Sequence, residues 1–372
     1  MWITCRSVPA VSHHGRFRRP RRVKHLRFWG YAMLGGINNS NQNTYMLPSV
    51  GNDRTIRKYG VISQYGKEIE IIDPPWGDFF PFAGALYADG NYYYILWRGY
   101  YNEALDHYMT KIVAATGEVV STNQYDYHIY SRSVYSVYGG KLASAGYSDY
   151  KLQLVFRDLE NGTILSTVDY DITPCIYDGV RDSMCVGDGA GNYWLFWRYI
   201  EGQIWIPETG WNGGNKWARA TSDGWTVEPS DASGSYMLNN PIGGCVTSTH
   251  AVIIGTMIVP GPNAFLFMCF DKSANTFSYD YRTSDIIGFG SIVSFSTHPS
   301  FFFWGVTTYG TGIHKYTPGN LVLSLFKADY SLLGPYGLID EVPHAWCYDN
   351  NAAIPADVKL INLNTAEIIN IP

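Results

Sequence analysis

A chain of 372 residues, 46% hydrophobic and 16% charged, can bury a core of its own, which excludes a disordered chain and a scaffold dependent on disulfides or metal. With 30 tyrosines, 12 tryptophans, 38 glycines and no sustained apolar period of 3.6, a helical bundle is excluded too. The net charge of −5 rules out nucleic-acid binding through the charge of the whole body.

That charge is uneven. No acidic residue precedes Asp53, whereas Arg6, Arg16, Arg18, Arg19, Arg21, Arg22, Lys24 and Arg27 are basic, so the first 52 residues carry +8 and the remainder −13. Residues 1–42 read as a basic, flexible arm. Arg18, Arg19, Arg21 and Arg22 in it suit a grip on an acidic partner or nucleic acid. A solvated tail, or sequence upstream of a start at Met33, reads equally from the same residues. The first 30 residues hold no uninterrupted apolar core of signal-peptide length, and Pro9 and Pro20 interrupt the amphipathic helix of a mitochondrial presequence. Localisation stays open, with a virion-associated or extracellular contact surface among the options.

From residue 43 onward a strand-like run turns into a second strand-like run seven times. The turn centres are Gly66, Gly117, Gly162, Gly224, Asn275, Gly319 and Ala366, at intervals of about 50 residues. Examples are Lys151–Phe156 before Thr163–Leu165, and Val358–Leu363 before Glu367–Ile369. Alternating β-branched and aromatic residues suit a pleated surface buried on one face, and Gly or Asn supplies the positive φ of a tight hairpin. Isolated hairpins are marginal, so they must stack. Between them lie aromatic inner-strand candidates: Asn91–Arg98, Asn192–Arg198, Phe301–Gly305 and Ala345–Tyr348. One inner strand, a hairpin and one outer strand make a blade. The expectation is an all-β, seven-bladed β-propeller of four-stranded antiparallel blades over residues 43–372. Because the chain stops just after the last hairpin, the strand Thr44–Leu47 is expected to close the seventh blade.

Candidate site residues fall at strand ends. Asp89-Gly90-Asn91 and Asp188-Gly189-Ala190-Gly191-Asn192 each precede an aromatic strand. A carboxylate there either lies near the axis, as acid/base chemistry on glycosides would need, or is part of an ordinary Asp-Gly turn. Leu96-Trp97-Arg98 and Phe196-Trp197-Arg198 end two strands alike. Trp97, Arg98, Trp197 and Arg198 could line a sugar or anion cleft, with Trp stacking and Arg donating, or pack between blades. The widest interval marks an insertion near Glu201–Asn215, whose Trp205 and Trp211 make it the first candidate contact loop.

The six cysteines show no zinc-like spacing, and no cofactor or metal is expected. Cys175 and Cys185 either bridge or stay free. Ala251–Phe270 is long enough to span a membrane, but Pro260-Gly261-Pro262 divides it into two strands and a turn. Asn161-Gly162-Thr163 is a sequon in a predicted turn. No motif for an acyl-transfer nucleophile, a metalloprotease or a phosphate loop occurs.

Lys111-Ile112-Val113-Ala114-Ala115-Thr116-Gly117-Glu118-Val119-Val120 and Phe156–Leu165 resemble the hairpin of quinoprotein-type (PQQ-type) propeller repeats, although Ser121 and Ser166 stand near where those repeats carry Trp. Asp89–Tyr93 resembles an inner strand of five-bladed glycosidases, and Ala220–Thr226 is similar to the Asp-box turn of sialidases. Together the features point to a non-catalytic propeller serving as an interaction or assembly module. By fold-level analogy it resembles a virion or tail-type structural or receptor-facing part. The alternative is a carbohydrate-active propeller, glycosidase or lectin, with its pocket at one mouth of the ring.

Overall fold

The computed structural model describes residues 27–28, 58–62, 68–72, 82–88, 92–101, 104–113, 118–125, 136–148, 151–171, 180–188, 190–206, 210–231, 238–257, 265–282, 285–352, 356–357 and 359–369. Among these residues six sheets have four antiparallel strands each, with neighbouring strands consecutive in the chain except in the last, where Ala356–Asp357 intervenes between the second and third. We number the sheets I (82–125), II (136–171), III (180–231), IV (238–282), V (286–328) and VI (330–369). Ahead of them Lys58–Ile62 pairs with Glu68–Ile72.

The sheets stack face to face in chain order, and the sequence shows why. In Phe265–Asp271 of sheet IV, Phe265, Phe267 and Cys269 pack against Phe301, Phe303 and Tyr316 of sheet V. The alternate residues Leu266, Met268 and Phe270 pack against Trp194, Phe196 and Trp217 of sheet III. Strand side chains alternate between faces, so a strand covered on both sides reads as one continuous apolar run. The apolar stretch 251–270 is therefore two paired strands, His250–Met257 and Phe265–Asp271, as expected. Burial on both faces, rather than on one, is the correction to the sequence reading.

First strands of successive sheets lie side by side. A Cβ on Gly244, in the first strand of sheet IV, would fall 2.5 Å from Cγ1 of Val186 in the first strand of sheet III. One on Gly243 would meet Ile292 Cδ1 in the first strand of sheet V. Sheets that converge at their first strands and diverge at their fourth are radial blades, so the fold is a β-propeller. In sheets I and III–VI the pairing of first with second strand slips, for example between Ala83 and Ala85 and between Arg181 and Met184. Such bulges sharpen the twist that the crowded centre of a propeller requires.

All seven predicted turns fall between paired strands. In sheets I–VI they join the third strand to the fourth, not two middle strands, and the aromatic "inner" candidates are second strands. The true first strands, such as Leu238–Val246 and Ile286–Ser294, carry Gly and Pro, which read as turns although the tight centre demands them. Sheet VI consequently takes all four strands from residues 330–369, with Ile368–Ile369 at its outer edge. The closing segment Thr44–Leu47 lies outside the described residues, as does most of the arm. Arg27–Phe28 pairs antiparallel with Ala356–Asp357.

Candidate functional site

Three of the outer turns share one construction. In Asp158–Gly162 the Asp158 carboxylate accepts from the backbone N–H of Glu160 (2.9 Å) and Asn161 (3.0 Å), while Gly162 N–H donates to Asp158 O. Asp271 does the same for Ser273 and Ala274, closed by Asn275 N–H. Asn362 does so for Asn364 and Thr365, closed by Ala366 N–H. The closing residues have φ of 75° (Gly162), 51° (Asn275) and 61° (Ala366). In sheet I Val113 N–H donates to Glu118 O, the bond that Asp158 N–H makes to Thr163 O and Asn362 N–H to Glu367 O. The motif is an Asx turn followed by a left-handed residue. Hydrogen bonds from Ala274 N–H and then the Ser273 hydroxyl and N–H hold the Asp271 carboxyl down to about 2.

Two of the outer turns, those of sheets II and IV, reach the preceding sheet. Lys111, on the third strand of sheet I, forms an ion pair with Glu160 in the outer turn of sheet II. Its ammonium lies 4.0 Å from the ring centroid of Tyr92. Asn123 Nδ2 donates to Glu160 O at 2.6 Å. Arg219, on the third strand of sheet III, donates to Asn275 Oδ1 in the outer turn of sheet IV at 3.1 Å and packs 5.3 Å from the Trp194 ring. In both cases the cation sits directly opposite an aromatic residue of the second strand, Lys111 opposite Tyr94 and Arg219 opposite Trp194. An aromatic–cation–turn staple thus recurs between sheets.

The predicted ligand residues are used structurally wherever they are described. Asp188, 9% exposed, lies in the turn between the first and second strands of sheet III. It accepts from Ala190 N–H, Asn192 N–H and Asn192 Nδ2 at 2.8–3.1 Å. Asn192 Oδ1 in turn receives Arg219 at 2.9 Å. All of this carboxylate's mapped bonds are spent on its own turn. Trp197 is fully buried in the core between sheets II and III, 5.9 Å from the Tyr170 ring. Its ring is therefore out of a ligand's reach. Arg198 is opposite Arg181 and Asn215 in the sheet. Trp97 and Arg98 are opposite Ala83 and Phe82, and, like Arg198, their side chains lie outside those described. Asp89, Arg18, Arg19, Arg21 and Arg22 lie outside the described residues.

The predicted contact loop is not a loop. The second and third strands of sheet III, Tyr193–Ile206 and Gly210–Thr221, extend through it, and Trp205 pairs with Trp211. The Cys175–Cys185 bridge is also excluded: Cys185 is a free, buried thiol that burial holds well above the usual range. The Asp-box-like segment is a tight turn in which Asp223 N–H donates to Thr221 Oγ1 at 3.3 Å.

Two hydroxyl–imidazole pairs, which sequence reasoning missed, have the distance that nucleophilic catalysis uses; in one, Thr249 Oγ1 lies 2.8 Å from Nδ1 of its chain neighbour His250. In the other, Thr307 Oγ1 lies 2.8 Å from His314 Nε2. Gly312 O, 3.1 Å from Nδ1, can only accept, so Nδ1 carries the proton and Nε2 accepts from Thr307. His314 is fully buried and stacked on Phe303, so the pair is a satisfied core contact closed to substrate. Among the described residues no group of three or more His, Cys, Asp or Glu is placed to hold a metal ion, and no helix is long and apolar enough to cross a membrane.

No known family model and no curated protein sequence matches this chain. Solved structures are similar in fold. A chain from a study of two prolyl endopeptidases aligns with TM-score 0.54 and 13% identity, over 91% of this protein and 49% of that one. A chain of the mitotic checkpoint complex aligns at 0.47 and 8% identity, over 98% and 99%. The β-propeller domain of the Trilobed protease from Pyrococcus furiosus aligns at 0.41 and 8% identity, over 78% and 83%. This protein spans about half the length of the prolyl endopeptidase chain. At these identities the likeness is one of fold.

Proposed function

We infer that this protein is a non-catalytic β-propeller that serves as an interaction or assembly module. One observation carries the reading. The fourth strands of sheets I and II expose apolar residues at equivalent positions, Val119 and Val120 in one and Ile164 and Leu165 in the next, all between 46% and 59% exposed. Side chains two and three residues past the turn glycine are solvated in both sheets, where an isolated soluble ring gains nothing from Val, Ile or Leu. The polar groups mapped at the outer turns are meanwhile engaged in holding sheets together.

A virion or tail-type structural part, with one face toward a receptor, is the finer form of this reading. The arginine run Arg18, Arg19, Arg21 and Arg22 adds an electrostatic contact for an acidic partner. The quinoprotein-like hairpins fit the same reading as repeat ancestry: the turns after Val113 and Asp158 share their backbone closure. Co-purification of the tagged chain from its native source tests the proposal. Val120→Lys with Leu165→Lys is expected to strip a stoichiometric protein partner while the monomer stays folded by circular dichroism. A wild-type chain recovered only as free monomer would overturn it. So would glycan hydrolysis that is lost on Asp89→Asn, which would instead establish the carbohydrate-active alternative.

A further inference from the structure

We propose that Asn161, at the tip of the outer turn of sheet II, is the acceptor of an N-linked glycan, which puts the chain on a secretory route. The inference goes beyond the assembly reading and does not rest on it. Asn161-Gly162-Thr163 has the acceptor sequence, and the fold sets it where a glycan can be attached and carried. In the turns of sheets II, IV and VI the third residue after the capping Asx is Asn161, Ala274 and Thr365 in turn, and all three are exposed. Within the sequon Asn161 and Thr163 are exposed while Gly162 between them is buried. Asp158 caps the turn, so the Asn161 side chain is not needed to close it.

The Asn161 carboxamide has one end in the fold and the other available. Its Oδ1 accepts from the Thr163 hydroxyl at 2.7 Å and from Thr163 N–H at 2.9 Å. Both lone pairs of the oxygen are thereby engaged, whereas no bond among the described residues engages Nδ2. Two donors on the oxygen draw electron density out of the carboxamide and ease the loss of an Nδ2 proton. In the transfer, Nδ2 bonds to the anomeric carbon of an oligosaccharide carried on a lipid pyrophosphate. The bond from that carbon to the phosphate oxygen breaks, its electron pair leaves with the lipid pyrophosphate, and Nδ2 gives up one proton. Only an Nδ2 hydrogen is replaced, so every bond the turn uses survives the attachment. The thiols suit the same route. Cys185, Cys245, Cys269 and Cys347 are free and buried, and burial pushes Cys269 and Cys347 up to about 12. An oxidising compartment therefore meets no exposed thiolate among them.

Mass spectrometry of the full-length chain purified from its native source tests the site. The peptide holding Asn161 should carry a glycan on Nδ2, and release by peptide-N-glycosidase should leave an aspartate at that position. An unmodified Asn161 in the native protein would overturn the proposal. Two variants made in the same cells test the role of the hydroxyl. Thr163→Val keeps the shape of the side chain without its donor and should abolish the glycan, with circular dichroism unchanged. Thr163→Ser should retain it. A glycan that persists on Thr163→Val, or one found only at Asn38, would also overturn the assignment.

Discussion

Lys111 of sheet I and Glu160 of sheet II form an ion pair that locks a third strand to the next sheet's outer turn, with Tyr92 beneath the ammonium. Arg219, Trp194 and Asn275 repeat the arrangement between sheets III and IV, two interfaces along. Radial sheets share only their faces, so contacts at the rim decide how firmly they close on one another.

Lys111→Met should lower stability by about 1 kcal/mol, because Glu160 is 59% exposed and an ion pair in that setting contributes modestly beside the cation–π contact. A double-mutant cycle with Glu160→Gln, read from denaturant midpoints, should return a coupling of about 0.5 kcal/mol. Zero coupling would mean the two groups are merely adjacent.

Gly244→Ala should cost about 1–3 kcal/mol by overpacking the centre. Its Cβ would meet Val186 Cγ1 at 2.5 Å and the Val252 carbonyl at 3.1 Å, and backbone cannot yield as a side chain can. Pairing it with Val186→Ala should recover part of the loss in thermal unfolding. Simple additivity would place the strain elsewhere.

Ala366 holds a left-handed backbone, φ 61°, at the position Gly162 fills in sheet II. Ala366→Gly should raise stability by up to about 1 kcal/mol, and Gly162→Ala should lower it by about as much. A destabilised Ala366→Gly would show that the last turn tolerates alanine without strain.

Acid sensitivity should have two separable origins. Asp271, held down to about 2, is ionised in the native turn. Its contribution is present above the unfolded value of about 3.9 and is lost as pH falls towards 2. Asp271→Asn should keep the turn, as Asn362 does, and flatten that limb in pH-dependent melting.

The histidines act at higher pH. Burial lowers His250, His298 and His314 below the ordinary value. An unfolded chain then binds protons more readily, so their contribution is full above about pH 6.5 and declines as pH falls below it. His314→Gln should reduce the slope between pH 6.5 and 5; an unchanged slope would assign the effect to the other two.

Several of these features were legible in the residues themselves. The turns at Gly162, Asn275 and Ala366 announced themselves because a left-handed position and an Asx cap four residues earlier are local requirements that few residue types satisfy. The two-strand division of 251–270 was readable from its prolines. The staples were not, since Lys111 and Glu160 are far apart in sequence and meet only once sheets I and II stack. Trp197 and Asp188 looked like ligand residues because a buried indole and a turn-capping carboxylate have the same letters as exposed ones.

By itself the sequence determined the strand period, the hairpin repeat and the uneven charge, all of which depend on neighbours within a few residues. The tertiary structure alone decided which strand is innermost, that both faces are covered, and which cation meets which turn. Convergence at the centre forces glycine into first strands, where local propensity argues against a strand, and only stacking brings distant repeats within bonding distance.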